Sequence, residues 1–384
     1  MKKKKVLLFN AVPTNNGDAA LVFSLYDLLE QKGFEVSIAS NHYDLVAPVY
    51  GGAYKIVKEL GKYKISNRIR FSSTFLTALF TPLFFLLSKA FIRTNVLIAC
   101  PGGYINSYYG FSKIAVTLMM GKLLGKKTAI YSQSIGPLNS KDKKLMRCMY
   151  KFVDVIYVRD EYSYQLLHRL LPDEKKYYKV EDAAFIIPFT PVDTANRKVA
   201  ISVRAWKHDN RKKDAFFKII EQIISFLVSK GYAVDFISTC QGLDAYVDDS
   251  IIAAEIYEIL DPELQSKVTV NKKYFKVSEL QEKIGEYDFV IGTRLHMCIL
   301  SMLKGKPCFN ISYERKGKEA YKYLGLEEYS VDYNEEVSVV EDRLISFFNN
   351  LDDIAEKMRA VMPEQNKKAE NYFNKFLKRM DIHH

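Results

Sequence analysis

Apolar strand patterns and helical patterns alternate along most of this 384-residue chain, and this alternation constrains the fold more than any other feature. Short apolar runs such as VLLFN, NVLIAC and TAIYSQS are each followed by a stretch with helical spacing. After the connector PFTPVDTANR, a second series begins with VAISVR and continues in the same way. The pattern predicts the α/β class, with parallel, doubly wound sheets and helices on both faces.

The length of the chain predicts two domains, because one compact core rarely organises so many residues. The connector near residues 190–197 is the expected boundary. We predict an N-terminal Rossmann-like domain over 1–192, a C-terminal Rossmann-like domain over 198–365 and a C-terminal helix over 366–384.

The charge balance favours anionic partners. The chain has 56 Lys and Arg against 45 Asp and Glu, a formal net charge of +11. Phosphorylated substrates, acidic lipid surfaces and nucleic acid all fit such a balance. No Arg-rich tract occurs and the charge is spread out, so no nucleic-acid partner is expected. The five cysteines are widely spaced with no CxxC pair, so we expect no metal site and no disulfide framework, as in a reducing cytosol.

The segment Gly292–Lys316, GTRLHMCILSMLKGKPCFNISYERK, carries the strongest functional signal. It predicts the end of a buried strand, a loop, a short apolar helix and the next strand. A helix amino end at such a junction presents N–H groups and a positive dipole to bound anions. Arg294 and His296 can converge only if Arg294 lies on the loop, with Thr293 as the expected cap. Together with Lys316 they predict a pocket for a small, multiply charged anion.

Polar and glycine residues also follow other predicted strands, at the edge where open α/β sheets bind ligands. PTNNGDAALV holds residues that can cap a helix or bind an acceptor hydroxyl. CPGGYINSYYG is either an ordinary turn or a loop whose tyrosines stack on a sugar. YSQSIGP is a further strand-end loop. In VRDEYS, Arg159 either pairs with Asp160 or faces a ligand. In SVRAWKHD, Arg204 follows a predicted strand. The candidates are Asn16, Asp18, Gly102, Gly103, Tyr104, Gln133, Ser134, Arg159 and Arg204.

The insert Phe71–Ser88, FSSTFLTALFTPLFFLLS, contains no charged residue over 18 positions. That length is the lower limit for crossing a bilayer, and a crossing would separate the two halves of the first α/β unit. Two interpretations stay open: a buried helix pair, or a surface helix that docks on anionic lipid through the basic flanks of segment 62–93.

Several pieces together resemble one known family, the polysaccharide pyruvyl transferases. They are NNGDAAL, PGGYINS, SQSIGP, VRDEYS, SVRAW, GTRLHMCILSMLKGKP and ISYERK, in the family's order and over most of the chain. The resemblance implies two Rossmann-like domains facing across a cleft, as in the GT-B fold. It also implies transfer of the pyruvyl group of phosphoenolpyruvate to sugar hydroxyls, giving a ketal and phosphate, in bacterial surface polysaccharide biosynthesis.

The resemblance also implies roles for the candidate residues. His296 is the implied acid/base group, with Lys316 and Arg294 as the other catalytic residues. The implied contacts of phosphoenolpyruvate are Arg204, Arg294, the backbone of Leu295, His296, Lys316 and Arg159. The N-terminal loops would bind the acceptor, a glycan or a glycan precursor on a lipid such as a polyprenyl diphosphate. Phosphoenolpyruvate is a co-substrate, so no cofactor is expected, and the expected location is the cytoplasm, at the inner face of the plasma membrane where the insert docks.

Two other functions remain open at this stage. A GT-B glycosyltransferase would use the same fold and cleft with a nucleotide sugar. A membrane-associated scaffold would retain the fold without turnover.

Overall fold

Two parallel sheets organise the chain, one in each of two units. The computed structural model describes residues 3–61, 74–172, 175–204, 213–243, 247–313 and 315–382, without the side chains of 74–78, 315, 316 and 323. Unit 1 comprises Met1–Thr14, Asp18–Ile186 and Lys367–His384. Unit 2 comprises Asn15–Gly17 and Ile187–Asn366.

The first half of the chain supplies eight strands and seven helices among the described residues. In order these are β1 (Lys5–Ala11), α1 (Asn16–Gln31), β2 (Glu35–Ser40), α2 (Tyr43–Tyr50), β3 (Ile56–Lys58), α3 (Thr74–Leu87), α4 (Lys89–Arg93), β4 (Val96–Ala99), β5 (Gly102–Ile105), α5 (Ser112–Leu123), β6 (Lys127–Ile135), α6 (Ser140–Tyr150), β7 (Val155–Val158), α7 (Glu161–Leu170) and β8 (Tyr177–Lys179).

The second half continues the alternation. Its described elements are β9 (Lys198–Ser202), α8 (Lys213–Ser229), β10 (Ala233–Phe236), α9 (Asp249–Ile259), α10 (Pro262–Gln265), β11 (Val268–Val270), α11 (Val277–Gly285), β12 (Phe289–Gly292), α12 (Leu295–Leu303), β13 (Cys308–Ser312), α13 (Arg315–Tyr323), β14 (Ser330–Asp332), α14 (Val337–Asn349) and α15 (Leu351–Arg379).

Both sheets have the doubly wound order. The unit 1 sheet runs β3-β2-β1-β4-β6-β7-β8 with β5 beside β6, and the unit 2 sheet runs β11-β10-β9-β12-β13-β14. Neighbouring strands pair in parallel, so their carboxyl ends share one edge. The order reverses between β1 and β4 and between β9 and β12, and such a reversal opens a crevice for ligands. The predicted α/β class with doubly wound sheets is confirmed.

The central strands are buried on both faces, which explains their continuous apolar runs. Every residue of β4, β7 and β12 is buried. Because helices cover both faces of a parallel sheet, such strands need no alternation of polar and apolar residues. The strands absent from the sequence prediction are β3, β5, β8 and β14. Their sequences, IVK, GGYI, YYK and SVD, contain no apolar run like those of the central strands.

The C-terminal boundary differs from the prediction. No separate helix begins at residue 366, because α15 runs unbroken from Leu351 through Pro363 to Arg379. Its last part belongs to unit 1, where the ring of Phe376 lies edge-on to Tyr131 and Tyr157. These buried aromatic contacts hold the C-terminal residues to the first sheet rather than to the second.

The insert forms α3 and α4, with a buried side and an exposed side. Residues 62–73, which include the start of the predicted insert and several flanking cations, lie outside the described residues. Phe84, Phe85 and Phe91 enter the core of unit 1, whereas Leu83 and Leu87 are exposed. The insert is therefore not a wholly buried helix pair. No helix in the described part of the chain combines the length and the apolar character that a bilayer span requires.

Candidate active site

The reversal point of the unit 2 sheet brings together the ends of β9 and β12. Arg204 follows β9, and Arg294 follows β12. Arg294 has extended backbone (φ −92°, ψ 116°) and is the N-cap residue of α12, so it lies on the loop as predicted. Thr293 was expected to cap this helix, and that expectation is wrong. Its hydroxyl instead donates to the carbonyl of Ser202 at 3.0 Å and ties the two strand ends together.

Arg294 is held by an acidic partner that the sequence did not indicate. Its Nε donates to Oδ2 of Asp249 at 2.8 Å, and its Nη2 donates to Oδ1 at 2.7 Å. Asp249 is the buried first residue of α9, and its Oδ2 also accepts from the hydroxyl of Ser238 at 2.6 Å. Burial alone would lower the pKa of Arg294. The Asp249 carboxylate raises the pKa by more than burial lowers it, so the net shift is upward. The guanidinium therefore stays charged and has a fixed orientation.

Arg204 is held by Tyr313, the residue after β13. Its Nη1 donates to the phenol oxygen of Tyr313 at 2.9 Å, and its guanidinium carbon lies 5.0 Å from the centre of the same ring. Tyr313 also acts electrostatically on Arg294 and raises its pKa. Arg204 thus meets the buried Tyr313 at the carboxyl edge of the sheet, where Arg294 follows the neighbouring strand.

His296 is the second residue of α12 and is partly exposed. A Cβ added to Gly17 would lie 2.6 Å from its Nδ1 and 2.9 Å from its Cβ. Gly17 and Asn16 both belong to unit 2. The backbone N–H of Asn16 donates to the carbonyl of Thr239 at 2.6 Å. The absence of a side chain at Gly17 leaves room for the imidazole. Next to His296, the N–H of Leu295 is the first of its helix and has no intrahelical acceptor.

Lys316 is placed only by its backbone, in the first turn of α13, because its side chain lies outside the described residues. The following residue, Gly317, packs so closely that an added Cβ would lie 2.4 Å from the hydroxyl of Ser312. This contact holds the amino end of α13 against the end of β13.

In unit 1, Arg159 forms a buried ion pair with Asp182 at 2.7 Å. The sequence suggested Asp160 as its partner, but the Asp160 carboxylate accepts from the N–H of Ser163 and caps α7. Burial lowers the pKa of Arg159, and the carboxylates of Asp182, Asp160 and Asp18 raise it above its usual value. The Nε of Arg159 donates to the hydroxyl of Ser134 at 3.0 Å. Structural contacts therefore occupy Arg159 on two sides.

Gln133 has a structural role that differs from the loop position expected for it. It lies within β6 and is 1% exposed. Its Nε2 donates to the carbonyl of Cys100, and its Oε1 accepts from the N–H of Tyr104 at 3.2 Å. These bonds fix the chain where β4 ends and β5 begins. Gly102 there has φ +147°, and an added Cβ would meet the ring of Tyr104 at 2.3 Å. The segment expected to be a turn or loop is thus partly a strand.

The other acceptor candidates lie at the same edge of unit 1, with one exception. Asp18 is in the first turn of α1 and acts electrostatically on Arg159, as does Tyr104. Gly103 is open, with Ser134 Cβ 4.0 Å from the position of an added Cβ. Asn16 is the exception, because it belongs to unit 2 and its side-chain amide donates to the carbonyl of Phe275 at 2.8 Å.

A second polar network at this edge escaped the sequence prediction. The wholly buried Glu59 accepts from the backbone N–H of Asn10 at 2.5 Å and of Leu60 at 3.0 Å. Its Oε1 lies 3.8 Å from Nζ of Lys113. Asn10 has φ +60°, so Glu59 holds the end of β1 in a left-handed turn. No local motif marks this carboxylate, since Asn10 and Lys113 are distant from it in the sequence.

All five cysteines are free thiols, four of them buried. In the described ranges, no group of three or more His, Cys, Asp or Glu residues could hold a metal ion.

With this geometry in place, a family model described as polysaccharide pyruvyl transferase matches residues 15–315. The chain belongs to the polysaccharide pyruvyl transferase family. The match ends one residue before Lys316 and includes the other candidate residues. Over 296 residues the chain is 24% identical to the amylovoran biosynthesis protein AmsJ of Erwinia amylovora, covering 71% of this chain and 70% of that protein. The members of this family are transferases of polysaccharide biosynthesis. The predicted function is therefore confirmed as far as a transferase that acts in polysaccharide biosynthesis.

Solved structures confirm the fold class. A putative UDP-N-acetylglucosamine 2-epimerase from Listeria monocytogenes superposes with a TM-score of 0.65 at 9% identity, covering 99% of this chain and 97% of that one. The calicheamicin glycosyltransferase CalG4 gives 0.51 at 8% identity, covering 99% of both chains. At such identities the likeness shows the fold alone, which is that of GT-B glycosyltransferases and related epimerases.

Proposed function

We propose that this pyruvyl transferase family member moves the pyruvyl group of phosphoenolpyruvate onto two hydroxyls of a sugar, forming a ketal and releasing phosphate. The acceptor is a glycan or a glycan precursor, including one linked to a polyprenyl diphosphate. The five free thiols support a cytoplasmic site of action.

The observation that carries the donor assignment is the position of Arg204 and Arg294 after the neighbouring strands β9 and β12, beside the amino end of α12. Phosphoenolpyruvate carries a carboxylate and a phosphate, each able to accept several charge-assisted hydrogen bonds. The Asp249 carboxylate occupies Nε and one Nη2 N–H of Arg294, so Nη1 is the nitrogen that we assign to the substrate. The N–H of Leu295 adds a backbone donor with the positive end of the helix dipole.

His296 supplies the proton transfers in this proposal. The methylene carbon of phosphoenolpyruvate gains a proton and becomes a methyl group, and the neighbouring carbon becomes an oxocarbenium-like centre. A sugar hydroxyl then bonds to that centre and loses one proton, so a single imidazole can accept one proton and donate another. In the second step the bond to the phosphate oxygen breaks, and phosphate leaves with the electron pair. A second hydroxyl then bonds to the same carbon, and its proton passes to the departing phosphate. The arginines and Lys316 would stabilise the departing phosphate.

We assign the acceptor to the carboxyl edge of the unit 1 sheet. Ser134 accepts a hydrogen bond from Arg159 there, and Asp18 and Tyr104 act electrostatically on that arginine. Gly103 leaves the backbone open. The exposed Tyr108 and Tyr109 follow β5 and offer rings for a sugar face. A carboxylate and hydroxyls of this kind can bind sugar hydroxyls without requiring a charged acceptor.

The reaction is tested by incubating the protein with ¹³C-labelled phosphoenolpyruvate and the glycan and lipid-linked glycan fractions of the source cells. Mass spectrometry should find a glycan that gains one labelled pyruvyl ketal, together with release of inorganic phosphate. His296→Gln should lower the rate by about 10²–10⁴-fold. Gly52→Ala is a matched control, because an added Cβ there meets nothing within 4 Å. Full activity of His296→Gln would remove the histidine from the mechanism.

A further inference from the structure

The exposed side of α3 and α4 forms an apolar strip that continues onto α5. We define the apolar strip as eight exposed side chains. They are Leu79, Phe80, Leu83, Leu86, Leu87, Ile92, Leu123 and Leu124. The α3 members recur at three- and four-residue intervals and so share one helix face, while the opposite face packs Phe84 and Phe85 into the core. Monomeric soluble proteins rarely expose a contiguous apolar patch without a binding role.

Lys126 joins the two parts of the strip. Its buried Nζ donates to the carbonyls of Ile92 and Thr94, each at 2.7 Å, at the end of α4. Ile92, Arg93 and Leu124 line one shallow groove as a result. These bonds fix the end of α4 beside the end of α5, and Phe84 and Phe85 anchor α3 in the core.

The charge of the surrounding chain identifies the partner. The stretch Leu60–Lys141 contains eleven Lys and Arg residues and no Asp or Glu. The chain has 56 basic and 45 acidic residues in total, so the rest of the chain is balanced at 45 of each. Lys and Arg residues are spread along the whole chain, but the net charge of +11 is confined to the stretch that carries the strip. Lys89 and Arg93 are exposed beside it.

We propose that the apolar strip is a membrane-docking surface that binds anionic bilayers, with its leucines in the headgroup boundary and its cations on the lipid phosphates. An amphipathic surface of this composition binds by buried apolar area and by attraction to anionic lipid together. A second copy of the chain fits less well, because a two-fold interface would face these cations with the same cations. The inference does not depend on the proposed chemistry, and it brings unit 1 to the surface where a lipid-linked acceptor would lie.

Vesicle co-sedimentation without phosphoenolpyruvate or acceptor tests this proposal independently of the reaction. We expect binding to phosphatidylcholine vesicles to tighten about tenfold or more when phosphatidylglycerol is included, and to weaken with salt. Leu83→Ser with Leu87→Ser should lower the partition coefficient by about tenfold. The matched control is Ile251→Ser with Ile259→Ser, two exposed isoleucines of α9, which should bind as wild type.

A charge variant gives a second readout if the leucine variant folds poorly. Lys89→Glu with Arg93→Glu should also lower binding by about tenfold or more. Its control, Lys218→Glu with Lys272→Glu, changes net charge equally at exposed positions of unit 2. Equal loss in both charge variants, or no preference of wild type for phosphatidylglycerol, would overturn the proposal. So would sedimentation velocity showing that the leucine variant dissociates a dimer while vesicle binding stays unchanged.

Discussion

The guanidinium of Arg294 and the carboxylate of Asp249 form a bidentate pair, at 2.8 Å and 2.7 Å, at the reversal point of the unit 2 sheet. The pair joins the loop after β12 to the start of α9. It neutralises part of the positive charge of the site and fixes the plane of the guanidinium. The anion site that the sequence suggested is thus built from an oriented arginine, and not from a free cluster of cations.

Asp249→Ala should lower the free energy of unfolding by about 3–5 kcal/mol, because the mostly buried guanidinium loses its counter-charge. Urea denaturation measures the change. Asp261→Ala is the control, since Asp261 is exposed and its side chain makes no capping bond; it should stay within about 0.5 kcal/mol of wild type. Adding Arg294→Met to Asp249→Ala should recover much of the loss, and equal losses for Asp249 and Asp261 would show that the pair contributes little.

Gly17→Ala should impair turnover without unfolding the protein. Alanine is the better helix former, by about 1 kcal/mol, so the helix itself gains. The added methyl group would collide with the imidazole of His296 and displace it. Misplacing a catalytic group by about 1 Å costs about a hundredfold in rate. Steady-state kinetics with thermal denaturation check both parts, with Gly52→Ala as the uncrowded control. Wild-type kinetics would mean that His296 can move without consequence.

Tyr313→Phe should weaken phosphoenolpyruvate binding about fivefold or more. The phenyl ring keeps its place below Arg204, but the hydrogen bond from Nη1 at 2.9 Å is lost. Tyr313→Leu removes the ring as well and should weaken binding further. Tyr108→Phe, at an exposed tyrosine of unit 1, should leave the dissociation constant unchanged. An unchanged constant for Tyr313→Leu would separate Tyr313 from the donor site.

Arg159→Met should act mainly on stability. It leaves the buried Asp182 without its cation, which we expect to cost about 3–5 kcal/mol in denaturant unfolding. Arg159→Met combined with Asp182→Leu should restore part of this loss. Phosphoenolpyruvate affinity of the folded fraction should change less than twofold. Loss of affinity at unchanged stability would instead favour the direct contact that the family resemblance implies for Arg159.

The sequence predicted the sheet positions of the site residues well, because parallel strands share one carboxyl edge. Arg204 and Arg294 were expected after strands, and they lie at the ends of β9 and β12. The extended backbone of Arg294 also followed from its spacing to His296.

The partners of these residues could not be predicted, because they are distant in the sequence. Asp249 follows Asp248 at the start of a helix, where a pair of acids normally indicates capping. Asp248 does cap α9, and Asp249 turns inward to Arg294. Similarly, Gln133 looked like a strand-end ligand, and its burial between Cys100 and Tyr104 depends on the pairing of β5 with β6.

Calorimetric titration with phosphoenolpyruvate tests the central claim most directly, with UDP and inorganic phosphate as comparison ligands. We predict that wild type binds phosphoenolpyruvate more tightly than either comparison ligand, and that Arg204→Ala weakens this binding at least tenfold. Thermal denaturation of the variant confirms that it is folded. Binding of UDP without binding of phosphoenolpyruvate would contradict the account and favour a nucleotide-sugar glycosyltransferase.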